Sequence, residues 1–152
     1  MDGEPLYRAA IVRQHVRRSK KGYPQLILGV ELHSVYDNEW TGESRRIPAE
    51  EHPIFLTFVD DEGLRKRVRQ HLARLGCEGL PLCHLDPDRT WHRSLVGKRV
   101  YVRRRKGSGG TFWHLEWPDG LIAMEEEQRA RILRRLVPAR PRVNGPSAKP
   151  PR

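Results

Sequence analysis

Between Gln25 and His33 two kinds of residue alternate without a break, and this pattern limits the chain more than any other. Leu26, Leu28, Val30 and Leu32 fall on one face, and Gln25, Ile27, Gly29 and Glu31 fall on the other. A period of two is the signature of a strand with one face against a core. Upstream, Leu6 to Val16 alternates around Tyr7, Ala9 and Ile11, and the run stops at Lys21-Gly22-Tyr23-Pro24. Two alternating runs joined by a short segment of turn residues predict a β-hairpin.

The pattern continues in strands. Ser34 to Glu51 turns polar, with Asp37-Asn38-Glu39 and Thr41-Gly42-Glu43-Ser44, and reads as a long loop carrying Tyr36, Trp40, Arg45 and Arg46. Loops of that length in compact domains are often functional. A third strand is predicted over Pro53 to Val59. There Ile54, Leu56 and Phe58 alternate with Phe55, Thr57 and Val59, as expected for a strand covered on both faces.

The period then changes to that of a helix. Leu64, Val68, Leu72 and Leu75 recur at helical spacing, Asp60 or Asp61 can cap the start, and Gly76 stops the helix. Arg65, Lys66, Arg67, Arg69 and Arg74 read as its solvated face. A Pro-containing connection from Leu80 to Arg93 leads to a fourth strand, Arg99 to Arg105, and a fifth, Thr111 to Trp117. Met124 to Leu136 is helical again and exposes Ile132, Leu133 and Leu136 near one stripe, a surface for docking back or for self-association. From Pro138 onward the Pro, Arg, Gly, Ser and Lys composition cannot build a core, so residues 138–152 are expected to be a disordered basic tail.

Strand, strand, strand, helix, strand, strand is the order of the OB-fold, a five-stranded Greek-key barrel with a helix between its third and fourth strands. The expected architecture is therefore mainly β: an OB domain over residues 1–120, a C-terminal helix over 121–137, and the tail. In that architecture the loops joining strands 1 to 2 and 4 to 5 flank the oligonucleotide-binding face. Here those loops are Arg17-Arg18-Ser19-Lys20-Lys21-Gly22 and Arg103-Arg104-Arg105-Lys106-Gly107-Ser108. Both are strongly basic.

Composition agrees. With 29 Lys and Arg against 19 Asp and Glu, the 152-residue chain carries a formal net charge of +10, which points to a polyanionic partner. No run of about 18 apolar residues exists, and the first residues, Met1-Asp2-Gly3-Glu4, are acidic and lack an apolar signal segment. No membrane partner is expected. Two cysteines, Cys77 and Cys83, are too few for a disulfide scaffold, and a cytoplasmic location in a bacterial cell or phage-infected host is the expectation.

Binding a flexible strand needs cations for phosphates and flat rings for bases. The phosphate candidates are Arg17, Arg18, Lys20, Lys21, Arg45, Arg46, Arg103, Arg105 and Lys106. The stacking candidates are Tyr23, Trp40, Tyr101 and Phe112. If Val100 and Val102 face inward, Tyr101, Arg103 and Arg105 face outward. If Trp113, Leu115 and Trp117 are core, Phe112 and His114 point out.

Catalysis has no comparable footing. A restriction-type nuclease needs clustered acids with a Lys two residues beyond one of them, and neither Asp-x-Lys nor Glu-x-Lys occurs. Asp60-Asp61-Glu62 and Glu125-Glu126-Glu127 sit where helix starts favour negative charge. Cys77, Cys83, His84 and His92 do not match common zinc spacings, and Gly107-Ser108-Gly109-Gly110 reads as a hairpin turn. The expectation is a binding protein without cofactor or metal.

Four segments also carry a family likeness: Tyr7-x-Ala9-x-Ile11, Ser19-Lys20-Lys21-Gly22-Tyr23-Pro24-Gln25 running into Leu26-Ile27-Leu28, Leu72-x-x-Leu75-Gly76, and Leu95-x-Gly97-Lys98-x-Val100-x-Val102. Over residues 6 to 117 the chain resembles the single-stranded DNA-binding-like OB-fold proteins of phages and mobile elements. The resemblance implies an accessory of replication or recombination that binds single-stranded DNA without sequence preference. It departs from housekeeping single-strand binding proteins in the Ser34 to Glu51 segment and in its basic end, Lys149-Pro150-Pro151-Arg152, where those carry an acidic tip. An RNA-binding OB module and a barrel that recruits a protein through the segment carrying Trp40 amid its acids are the alternatives the same residues leave open.

Overall fold

The computed structural model describes residues 3–136 except Ser108; the tail expected over 138–152 lies outside the described residues. Five antiparallel strands form one sheet: β1 (Leu6–Arg18), β2 (Pro24–Asn38), β3 (Glu43–Thr57), β4 (Arg99–Gly107) and β5 (Gly110–Glu116). The sheet order is β3-β2-β1-β4-β5. Helix α1 (Glu62–Arg74) lies between β3 and β4, and α2 (Asp119–Leu136) follows β5.

The alternating run of β2 is the centre of the core. Leu26, Leu28, Val30 and Leu32 are all buried, together with Ala9 and Ile11 of β1, Ile54 and Leu56 of β3, Val100 and Val102 of β4, and Leu115 of β5. Helix α1 covers one end of this core with Val68 and Leu72. Asp61 caps it, its side chain accepting from the Leu64 N–H at 3.0 Å, and Gly76 leaves it at φ +84°. A short 3-10 turn, Leu82–Leu85, buries Leu85 beside the same cluster.

Two expectations need correction. Ser34 to Glu51 is not a long loop: β2 continues to Asn38, β3 begins at Glu43, and only Glu39 to Gly42 turn. Register shifts between Leu32 and Ser34 and between Tyr36 and Asn38 break the period of two, so Ser34, Val35 and Tyr36 are buried in succession. Beyond the core the backbone ladder continues and Arg45 of β3 pairs with Asp37 of β2 across it, and polar composition there disguises a strand. Second, β3 is not covered on both faces. Ile54 and Leu56 are buried while Phe55 is 50 % exposed.

Each neighbouring pair is antiparallel, so β3 and β5, at the two edges of the sheet, run in the same direction. The sheet curls until these edges meet: His52 of β3 stacks on Trp113 of β5 with centroids 4.6 Å apart. They share no hydrogen-bonded ladder, and the sheet is open in that sense.

Helix α2 packs on the outside of the sheet. Its Leu121 joins Leu6, Tyr36 and Tyr101 in a second, smaller cluster flanked by Ile122 and Met124. At the centre lies a buried carboxylate, Glu125, which accepts from the hydroxyls of Tyr36 and of Tyr101 (2.5 Å) and from Arg8 (3.3 Å). Burial and these bonds to Glu125 push the Tyr101 phenol up to about 12 and the Tyr36 phenol higher still.

Candidate nucleic-acid interface

The seam between β3 and β5 opens toward α1 into a cleft of about 720 Å³. Its floor is apolar, with Ile54, Leu56, Val68 and Leu115. Phe55, Phe112 (49 % exposed) and Leu64 stand at the surface, and Arg67, Arg105, His71 and His114 supply the polar lining. A second cleft of about 510 Å³ is lined by Lys20, Lys21 and Tyr23 of the β1–β2 turn. The two share Thr57, Val59 and Leu64, so they adjoin along the end of β3, and together they are the candidate groove. Asp60 and Asp61 also line the second cleft.

Local structure fixes both ends of this groove. At the β1–β2 turn the N–H of Gly22, at φ +88°, donates to the Ser19 carbonyl at 2.8 Å, and Ser19 Oγ accepts from the Tyr23 N–H at 3.1 Å. Arg18 donates to the Gly22 carbonyl, and Arg17 donates to Gln25, which in turn holds Thr57 at 2.7 Å. Lys20 and Lys21 are thereby presented on a braced turn. At the other end Arg105 bonds His114 and forms an ion pair with Glu116 at 2.8 Å, so its charge is partly spent inside the protein.

The remaining sequence candidates do not meet at this groove. Tyr101, expected to face outward, is 5 % exposed beneath α2, because its hydroxyl serves the Glu125 carboxylate. Arg103, expected to face outward for phosphate, is tied into the protein. It forms a bidentate pair with Glu39 (3.0 and 3.1 Å), reaches Glu116 at 3.5 Å and donates to the Glu4 carbonyl. The Glu39 bond holds its guanidinium charged, above the usual range. Arg45 pairs with Asp37 at 3.1 Å, Arg46 is exposed on β3, and Lys106 is exposed near the β4–β5 turn. Trp40 is 94 % exposed at the β2–β3 turn and borders neither cleft.

Arg67, Phe55 and Leu64 were not legible as groove residues. The basic face of α1 reads as solvated until the helix is placed against β3 and β5, and Phe55 reads as core until its strand becomes an edge. His71 and His114 complete the lining. Burial lowers both imidazole pKa values, with neighbouring Arg67 acting on His71 and Arg105 on His114 in the same direction. His71 Nδ1 accepts the indole N–H of Trp117 at 2.9 Å, and Arg74 lies over that indole, 5.1 Å from its centroid. Glu116 is buried enough to raise its pKa, yet Arg105, Arg103 and His114 outweigh this and hold it below the usual carboxylate value.

Among the described residues no group of three or more His, Cys, Asp or Glu is placed to hold a metal, and no helix is long and apolar enough to cross a membrane. Cys77 is buried and Cys83 exposed, both as free thiols. No protein-family model matches the chain, and no curated protein is similar enough to be matched to it.

Proposed function

We propose that this protein is an OB-type barrel that binds single-stranded DNA without sequence preference, as an accessory of replication or recombination and without catalysing a reaction. The observation that carries the reading is the pair of adjoining clefts, one lined by Lys20, Lys21 and Tyr23 and the other by Phe55, Phe112 and Arg67, with Thr57 and Leu64 common to both. A duplex presents phosphates but hides its bases, whereas a single strand can lay bases on exposed rings while its phosphates meet the cations. Phe55 and Phe112 provide such rings, and Lys20, Lys21 and Arg67 provide the cations. The barrel reading is supported by the strand order and by the approach of β3 to β5 in the same direction, with His52 on Trp113. The resemblance over residues 6 to 117 favours DNA over RNA.

Fluorescence anisotropy with labelled single-stranded DNA, duplex DNA and RNA of equal length tests this, on the full chain and on a chain ending at Leu136. Tighter binding to single-stranded DNA that survives tail removal and weakens with salt supports the groove. Equal binding to single strand and duplex, or binding that vanishes with the tail, overturns it. Tighter binding to RNA retains the groove and replaces the ligand.

A further inference from the structure

We propose that the β2–β3 hairpin tip docks into a second copy of this chain, Trp40 seating in the apolar groove between α1 and the segment Cys77–Leu82. The tip is built to present an indole. Trp40 is 94 % exposed, yet every residue around it is braced. The Asn38 carboxamide accepts from the N–H groups of Trp40 (2.9 Å) and Thr41 (3.2 Å), and the Gly42 N–H donates to the Asn38 carbonyl at 2.9 Å. Gly42 sits at φ +81° against Met124 of α2, where a Cβ would come within 2.6 Å of the Met124 methyl. Glu39 is clamped by both terminal nitrogens of Arg103. A large ring on a preordered support loses little freedom on docking, which is the character of an interface anchor.

The charge around the indole selects its partner. Of the carboxylates in residues 37–43, Asp37 is paired with Arg45 and Glu39 with Arg103, which leaves Glu43 as the unpaired charge beside the indole among the described residues. An exposed indole beside an unpaired carboxylate fits an apolar seat beside an unpaired cation, a patch different from the tip itself. The chain carries one of suitable shape: a groove of about 570 Å³ with Phe58, Leu72, Leu80 and Leu82 among its walls. Lys66 and Arg69 stand on its α1 side and Glu78 on the other. Glu43 has no ion-pair partner among the described residues, and neither has Lys66, whereas Arg69 holds Glu62. The docked indole pairs Glu43 of one copy with Lys66 of the next. Such a contact uses different patches on each copy, so it closes into a ring or extends as a chain of molecules, and it leaves the cleft between β3 and β5 unoccupied. It stands independently of the nucleic-acid reading.

Sedimentation velocity on the full chain, freed of nucleic acid and kept in reductant, tests the contact. Wild type should associate as concentration rises. Trp40→Ala and the pair Lys66→Glu/Arg69→Glu should each weaken association at least about 30-fold, the loss expected of a central tryptophan anchor. Circular dichroism confirms that both variants are folded. Mixed in equal amounts, they should form one-to-one dimers and nothing larger, because each keeps the half the other has lost. The proposal is overturned if wild type stays monomeric at every concentration, if either folded variant associates as wild type does, or if the mixture fails to combine.

Discussion

The indole of Trp113 lies 4.6 Å above the imidazole of His52 and 26° from parallel to it, joining two strands that share no hydrogen-bonded ladder. Tyr7 meets the same indole edge-on at 5.4 Å. One ring therefore does at the seam what backbone bonds do between the other strands. Trp113→Ala should destabilise the protein by about 2 to 4 kcal/mol, toward the lower end of the range for large aromatic truncations because the ring is only partly buried. A double-mutant cycle with His52→Ala should return a coupling of about 0.5 to 1.5 kcal/mol in urea unfolding. Additive losses would mean that the stack holds nothing together.

Glu125 joins α2 to three strands, accepting from Tyr36 of β2, Tyr101 of β4 and Arg8 of β1. Glu125→Ala strands two buried hydroxyls and a half-buried guanidinium, at a cost of about 2 to 4 kcal/mol. Tyr101→Phe removes one donor and should cost about 1 kcal/mol. Hydrogen exchange should show the amides of α2 losing protection in Glu125→Ala before those of β2. Unchanged protection in α2 would assign its docking to Leu121 alone.

The elements were legible where one face meets a core and the period runs unbroken, as in Leu26 to Leu32, or where caps mark the ends, as with Asp61 and Gly76. The β2–β3 hairpin beyond Leu32 was not, because its bulges place Val35 and Tyr36 side by side in buried positions and its outer part is polar, with Arg45 paired to Asp37. The site was half legible. Lys20, Lys21, Tyr23 and Phe112 line the groove as their turn and edge positions suggest. Tyr101 and Arg103 do not, since nothing near them in sequence announces Glu125 or Glu39, their partners 24 and 64 residues away.

His71 can hold Trp117 only while its Nδ1 is unprotonated. Burial, with the charges of His114 and Arg67, lowers its pKa below the ordinary 6.5, and burial lowers His114 likewise. Below pH 6.5 the unfolded chain takes up these protons more readily than the folded one. The stability they contribute is therefore complete above 6.5 and is lost as pH falls through that value toward the folded pKa. Glu116, whose folded pKa is depressed, adds a loss in the same direction below its ordinary 4.5. Urea midpoints should fall as pH drops below 6.5. His71→Gln, which keeps an acceptor and cannot titrate in this range, should flatten the first part of that fall. An equally steep fall in the variant would place the titration elsewhere.

Arg67 and Arg103 separate binding from folding. The Arg67 side chain is exposed beside the groove, whereas Arg103 is enclosed by Glu39, Glu116 and the Glu4 carbonyl. Arg67→Gln should leave the urea midpoint unchanged, weaken single-stranded DNA several-fold at low salt, and reduce the slope of log affinity against log salt by about 0.7, the share of one neutralised phosphate. Replacing Lys20 and Lys21 together by Gln should reduce it by about twice that. Arg103→Gln should do the opposite, costing about 1 kcal/mol of stability as Glu39 loses its partner while changing affinity less than twofold. Phe112→Ala should weaken binding by about 1 to 3 kcal/mol without altering the salt slope, because a stacked ring releases no counterions. If Arg103→Gln lowers the slope and Arg67→Gln does not, the strand runs over the outer face of β4 and not along the groove beside α1.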